Sequence, residues 1–521
     1  MWERSATWLR SAQGTKTLAV VIACLLVSAV SSVGQVNAEN RKAGSRDVAS
    51  TGRLALPGDR SGAGSTSTTA GEGDPLDGAA TTLPGMPRRG GPPTTFGNAP
   101  VPKHGLRTQG VTDKEVKVGV TYNVSGCGDS GALSAALGEA VTGDPERAFD
   151  AMERHVNDNG GINGRKFVLD IADDGSGGCP EKAAAAAVKL VDQDKVFLVI
   201  PGIHDVSDYS ISKRIPTLIG REDDASLKAF GPNGIGLYAI QSALKVWASF
   251  AAHYLDSKSN VPCLIHPDDD EWNNNEKLLN ALLTQYGIKF KEIVRYADDV
   301  STAQRQASAA AAKFRDAGCN QAFFMAHNPI ALIFFTSAAT QSLWFPDAWT
   351  FTSYTALIDT PLAANLMDKR QWRNAVGMSY RVPPGQHPAE GNCKKIYEHY
   401  YPDDDTGGDA AYTQVACALV LPAAEMMRRG ERLTGELTGD SFVLGADSIS
   451  NDYFYDATVP LDWSIPHGGP YKTKAMDDWT VIKWNPDRGE YDFPEFPLYW
   501  KVMGANKSGG VDLRPTFKAA S

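Results

Sequence analysis

No two of the seven cysteines stand in Cys-x-x-Cys spacing. That argues against dithiol redox chemistry and against a cysteine-rich zinc site. There is no Gly-x-x-x-x-Gly-Lys-Ser/Thr loop, no His-Glu-x-x-His helix and no Gly-x-Gly-x-x-Gly following a strand. The local machinery for cradling a nucleotide phosphate, for zinc-dependent hydrolysis and for dinucleotide binding is therefore missing. No block of lysine and arginine offsets the formal net charge of −10, which argues against a nucleic-acid partner. No long apolar span follows the folded part of the chain.

What is present fits a soluble globular protein of more than one domain: 521 residues, 42% hydrophobic and 21% charged. Residues 1–38 differ from the rest. Arg4, Arg10 and Lys16 precede an apolar run over 18–33, and Val36-Asn-Ala38 offers a small-residue cleavage site. This is the layout of a secretory signal peptide, with an uncleaved membrane anchor as the other reading; the only membrane association expected is through that segment. Val21-Ile-Ala-Cys24 also has the form of a lipoprotein cleavage box, although Leu25, Leu26 and Val27 would then follow directly in the mature chain. Residues 39–111, rich in Gly, Ser, Thr and then Pro, read as a disordered linker that buries too little apolar surface to offset its chain entropy.

Apart from Cys24 there are six cysteines: Cys127, Cys179, Cys263, Cys319, Cys393 and Cys417. An even count in an exported chain suggests disulfides. Spacing leaves the connectivity open, but placement favours pairing in sequence order. Cys127 and Cys179 follow the first two strands of one sheet, Cys263 and Cys319 each start a strand of the next unit, and Cys393 and Cys417 lie on successive helical segments.

From residue 111 onward, strands alternate with helices. Strands are expected over 116–122, 167–171, 196–200, 215–219, 262–266, 288–296, 321–326, 350–353 and 375–381. Helices fall over 145–157, 180–193, 241–255, 276–286, 303–317, 330–341, 393–401 and 410–429. This alternation implies βαβ units and parallel sheets, hence an α/β fold. Near the end, Asn485-Pro-Asp-Arg-Gly489 supplies turn chemistry for a hairpin between 479–484 and 490–493.

Four stretches carry a family resemblance: Val116-Lys-Val-Gly-Val-Thr-Tyr-Asn-Val-Ser-Gly126; residues 157–174, with Asn157-Asp-Asn-Gly-Gly-Ile-Asn-Gly164 ahead of a strand ending in Asp173-Asp174; Lys189-Leu-Val-Asp-Gln-Asp-Lys-Val-Phe197; and Ile215-Pro-Thr-Leu218. In this order and spacing they resemble the type I periplasmic-binding-protein family, in its leucine/isoleucine/valine-binding branch. The resemblance spans about residues 112–500 and is strongest in the first hundred. It implies a two-lobed fold, each lobe a mostly parallel sheet flanked by helices: lobe I over 112–242 and 383–447, lobe II over 243–382, and a hairpin, hinge crossing and tail over 448–521.

It implies, too, an extracytoplasmic solute-binding protein that closes on a small polar or amino-acid-like ligand and delivers it to an ABC transporter permease. No enzyme activity, cofactor or metal is implied. The alternative is an extracellular ligand-sensing receptor module of the same fold.

In such sheets ligands meet the loops at the carboxyl ends of the strands. In lobe I these hold Asn123, Ser125, His204, Asp205, Ser207 and Arg221; in lobe II, Trp272, His327, Asn328 and Tyr354. The family's lobe I loops offer hydroxyls and backbone N–H groups to a carboxylate, and an acidic residue of lobe II meets an amino group. Here His204-Asp205 stands where the family favours Gly and Ser, and the lobe II acidic position falls on Ser353 or Tyr354. Arg221 can pair a carboxylate bidentately. Trp272 and Tyr354 serve either ligand stacking or lobe packing, while Asp268, Asp269, Asp270 and Glu271 read as a solvated face and Asp173-Asp174 as a turn cap.

Gly128-Asp-Ser-Gly131 matches the nucleophile segment of trypsin-like proteases, but that chemistry needs a β-barrel and an upstream histidine base. The one upstream histidine, His104, lies in the linker.

Overall fold

The structure is a computed structural model. It describes residues 97, 99–101, 103–122, 143–175, 180–202, 204–222, 230–254, 260–297, 300–326, 329–353, 355, 358–381, 383, 392–404, 407–453, 461–462, 478–496, 498–505 and 511–518. The signal segment, the linker up to residue 96, Cys24, Asn123, Ser125, Cys127, the 128–131 segment, Cys179, His327, Asn328 and Tyr354 lie outside the described residues.

Lobe I begins with β1 (Glu115–Tyr122), α1 (Pro145–Asp158) and β2 (Lys166–Asp173). β1 is buried almost throughout, as a strand covered by helices on both faces must be. α1 starts where Asp144 accepts the backbone N–H of Arg147 and Pro145 takes the first turn. It buries Phe149, Met152 and Val156 on one face. It ends in a turn with positive φ at Gly160, Gly161, Asn163 and Gly164. At Gly161 a Cβ would sit 1.9 Å from the Arg165 carbonyl oxygen, so only glycine fits.

Then come α2 (Pro180–Val188), β3 (Leu198–Ile200), α3 (His204–Ser212), β4 (Thr217–Glu222), β5 (Gly234–Ala239) and α4 (Ile240–Tyr254). The five strands pair in parallel in the order β2-β1-β3-β4-β5.

Lobe II contains β6 (Pro262–Pro267), α5 (Asp270–Gln285), β7 (Glu292–Tyr296), α6 (Val300–Asp316), β8 (Gln321–Phe324), α7 (Ile330–Gln341), β9 (Ala348–Thr352), the short helices α8 (Pro361–Ala364) and α9 (Lys369–Trp372), and β10 (Ala375–Ser379). Its parallel order β7-β6-β8-β9-β10 repeats that of lobe I. After β10 come α10 (Asn392–Tyr400), α11 (Ala411–Thr434), which packs on α1, and α12 (Gly439–Asp447). The small antiparallel pair β11 (Ser450–Tyr453) and β12 (Leu461–Asp462) follows.

The chain then extends the lobe II sheet: β13 (Asp478–Asn485) runs antiparallel to β10 and carries the hairpin strand β14 (Glu490–Asp492). Outside β13, β15 (Leu498–Ala505) and β16 (Val511–Lys518) bring this sheet to nine strands. The hairpin turn is made by Asn485, whose side-chain oxygen accepts the N–H groups of Asp487 and Arg488.

Three expectations are corrected. The strand expected over 288–296 starts only at Glu292. Residues 204–207, expected as a loop, open α3. Residues 97–111, expected to end the linker, pack on the folded domain where they are described. The Asp440 carboxylate collects the N–H groups of His104, Gly105 and Leu106, the Gln109 amide donates to the carbonyls of Val191 and Val196, and Leu106 is buried. These partners lie up to 336 residues away, so local composition carries no sign of them.

Among the described residues two disulfides close, Cys263–Cys319 in lobe II and Cys393–Cys417 between α10 and α11, both in sequence order. Among the described residues no helix is long and apolar enough to cross a membrane.

Candidate functional site

A 2-1-3-4-5 strand order reverses direction between its first and third strands, and the crevice at that switch is where such sheets bind ligands. In lobe I the switch lies between β1 and β3. There the N–H of Gly202 donates to the Thr121 side-chain oxygen (2.7 Å). A Cβ on Gly202 would lie 2.5 Å from Asp174 Oδ2, so the backbone approaches as closely as glycine allows.

The register that pairs Tyr122 with Asp173 sets the rest of this rim. Tyr122 stacks on Phe149 (5.9 Å between ring centroids) and meets Tyr412 edge-on (6.1 Å). Its hydroxyl faces Glu146 Oε1 at 3.4 Å. Burial first, and then the Glu146 charge, raises the Tyr122 phenol well above its ordinary value. Tyr412, at the start of α11, is pushed up to about 12 by burial and by the nearby Asp174 and Asp173. Both phenols thus stay protonated, and that of Tyr122 donates to Glu146. Asp173 accepts the Gly175 N–H (3.0 Å) and pairs with Lys182 (3.1 Å), capping the turn after β2.

The other lobe I candidates fall around this rim. His204 and Asp205 open α3 at the carboxyl end of β3, and Arg221 lies in β4 beside Tyr238 of β5. Ser207 is buried, and its carbonyl accepts from Ser210 Oγ (2.9 Å).

In lobe II the corresponding switch lies between β6 and β8. His266, buried near the end of β6, places Nε2 2.8 Å from Glu276 Oε2 and Nδ1 2.7 Å from the Pro267 carbonyl. Arg295 grips the same carboxylate with two nitrogens, at 2.8 and 3.1 Å. Burial raises the Glu276 carboxyl, but the hydrogen bonds from Arg295 and His266 outweigh it, and the net direction is down. Asp269 accepts the backbone N–H of Trp272 as the cap of α5. Trp272 itself is fully buried in the hydrophobic core with Leu279 and Leu283.

The carboxyl ends of β9 and β10 hold a group that the sequence did not single out as a unit. Ser353, directly after β9, and Ser379, the last residue of β10, both donate to Asp359 Oδ2, Ser379 at 2.6 Å. Arg381 Nε lies 3.3 Å from Asp359 Oδ1. Asp359 was missed because it sits in a connection without periodicity; the available signal was an acidic residue a few positions beyond the expected strand end. Among the described residues no cluster of three or more His, Cys, Asp or Glu side chains is arranged to hold a metal ion.

Several solved proteins are similar to this chain in fold. A branched chain amino acid ABC transporter from Thermus thermophilus with bound valine matches with a TM-score of 0.58 at 10% identity, over 74% of this chain and 96% of that one. A fatty acid ABC transporter substrate-binding protein from Thermomonospora curvata matches with a TM-score of 0.57 at 14% identity, over 78% and 97%. An ABC transporter solute binding protein from R. palustris in complex with 4-hydroxybenzoate matches with a TM-score of 0.54 at 14% identity, over 73% and 95%. At such identities the likeness concerns the fold, a two-lobed type I periplasmic binding protein. No curated protein matches the chain. Residues 115–487, well over half of its length, match the family model described as periplasmic binding protein, and the chain belongs to that family.

Proposed function

We propose that this protein is an extracytoplasmic solute-binding protein that captures a small polar or amino-acid-like solute between its lobes and delivers it to the permease of an ABC importer. The observation that carries the reading is the duplicated strand order, which gives each lobe a polar carboxyl edge around a switch point. Hinge closure of two such lobes around a ligand is a standard switching motion. The two closed disulfides agree with an oxidising compartment outside the cytoplasm. The valine, fatty acid and 4-hydroxybenzoate named for the structural neighbours suggest the size and polarity of the solute.

In this reading Tyr122, Tyr412 and the β1–β3 switch form the lobe I wall, with Asn123, Ser125, His204, Asp205, Ser207 and Arg221 around it. His327, Asn328, Tyr354 and the Asp359 group belong to lobe II, and buried Trp272 supports that wall from behind. The protein returns its ligand unchanged and performs no catalysis.

The test is mass spectrometry of small molecules released from the purified protein on denaturation, followed by a thermal-shift screen. A retained solute that raises Tm on re-addition supports the reading. Chemical conversion of that solute, or the absence of any bound small molecule, would contradict it.

A further inference from the structure

His266 is fully buried, and both nitrogens of its ring face oxygen. Nδ1 lies 2.7 Å from the Pro267 carbonyl oxygen and Nε2 lies 2.8 Å from Glu276 Oε2. A carbonyl and a carboxylate only accept, whereas a neutral imidazole carries one N–H and one lone pair. Neither neutral tautomer therefore serves both partners. The bare nitrogen would point its lone pair at an oxygen in a buried site. Moving the proton onto Glu276 is opposed by Arg295, which holds both carboxylate oxygens, with Nε 2.8 Å from Oε2 and Nη2 3.1 Å from Oε1. Those bonds, with that of His266, outweigh burial and favour the charged carboxylate.

Register and side-chain period bring the group together. β6 and β7 pair His266 with Arg295, and Glu276 reaches both from α5. Leu264, two residues earlier on the same face of β6, belongs to the core with Leu279 and Leu283 of α5, so the surroundings are apolar. Among the described residues the charged groups that face His266 are Glu276 from α5 and Arg295 from β7, with Asp268 acting on Arg295. On the other side of β6, β8 carries Gln321, Ala322, Phe323 and Phe324, none of which titrates.

We infer that His266 is a buried imidazolium at neutral pH, and that its second proton is a pH-sensitive lock joining β6 to α5 and β7. One carboxylate then sits between two cations. Loss of the proton leaves an oxygen facing a bare nitrogen at one of the two contacts. A histidine in an unfolded chain gives up this proton at about pH 6.5. While the folded protein retains it, the folded state binds more protons, and stability falls as pH rises, by up to about tenfold in the folding constant per pH unit. Below about pH 6.5 both states hold the proton and the group adds no pH dependence.

The test is nitrogen NMR at pH 7.5 on the full chain, isotope-labelled at histidine. The His266 signals are identified by their loss in His266→Gln or, should that variant not fold, by ring contacts to the Arg295 side chain. Both ring nitrogens of His266 are expected to be protonated, where a histidine of ordinary titration would be about nine-tenths neutral. Glu276→Gln removes the charge and keeps the shape of the side chain, so in that variant one His266 nitrogen should lose its proton at the same pH. Urea midpoints between pH 6.5 and 8.5 should fall for the wild type and fall less for Glu276→Gln, with the Tm of each at pH 6.5 as the folding control.

An unprotonated His266 nitrogen in the wild type overturns the inference whether or not the variants fold. A doubly protonated ring in Glu276→Gln overturns it too, as does a wild-type midpoint that falls no more than the variant's.

Discussion

Arg428 donates from Nε to the carbonyl oxygen of Gly161 at 2.7 Å, across 267 residues of sequence. A second guanidinium nitrogen reaches the Val156 carbonyl at 3.2 Å. A buried cation on α11 thereby satisfies the Gly161 carbonyl and gives a second donor to that of Val156, which also accepts the Gly161 N–H (2.9 Å), beside the end of α1 where the helix dipole is negative. The turn between the first two strands is thus locked by the chain's return to lobe I.

Arg428→Met keeps much of the apolar stem and removes both hydrogen bonds. The Val156 carbonyl keeps the Gly161 N–H, so the loss falls on the Gly161 carbonyl, and the variant is expected to lose about 1–3 kcal/mol in urea unfolding. An unchanged midpoint would show that the turn does not need its clamp.

His155, in the last turn of α1, reports on the same contact. Burial, and then the Arg428 charge, lowers its pKa from the ordinary 6.5 to about 4. The unfolded chain takes up this proton near pH 6.5 and the folded chain only near pH 4. Over that window the unfolded state binds more protons, so stability falls as pH falls, by about 3 kcal/mol on reaching pH 4. Above about pH 6.5 the group contributes no pH dependence. His155→Gln should flatten this part of the urea-midpoint profile, and in Arg428→Met the His155 NMR titration should move upward.

The disulfides contribute more the longer the loop they close, but only as its logarithm. The Cys393–Cys417 separation of 24 and the Cys263–Cys319 separation of 56 correspond to about 3.5 and about 4 kcal/mol in the chain-entropy account. Replacing either pair with alanines should lower the unfolding midpoint by amounts in that range. The lobe II pair should give the larger effect, and equal effects would favour an enthalpic origin.

α11 and α12 cross on glycines. A Cβ on Gly445 would lie 2.0 Å from the Met426 carbonyl oxygen, and one on Gly430 2.2 Å from that of Ser441. Gly445→Ala must push the helices apart, at a cost of about 1–3 kcal/mol. A variant as stable as the parent in urea would mean that the helices separate without loss.

The helices of lobe I could be read in advance wherever an apolar stripe met a capping signal. Phe149, Met152 and Val156 recur at helical spacing behind Pro145, and the structure buries all three. The strand content of residues 498–518 went unread although Lys507-Ser-Gly-Gly510 offered a turn between two runs; those strands gain their partners only by joining a sheet already formed from distant residues. His204 and Asp205 read as a loop because no apolar stripe marks the short helix they open.

The alternation of strand and helix, and with it the α/β class, is written along the chain, because hydrophobic period and turn chemistry act over a few residues. The packing of 103–111 on the folded domain, the clamp of Arg428 on the first turn, and the enclosure of Asp359 by Ser353, Ser379 and Arg381 arise in the folded state alone. Each of these is a hydrogen-bonding or charge relationship between residues that the chain brings together only after its sheets have formed. Such pairings leave no periodic trace in the sequence, yet they set which polar groups line the sheet edges.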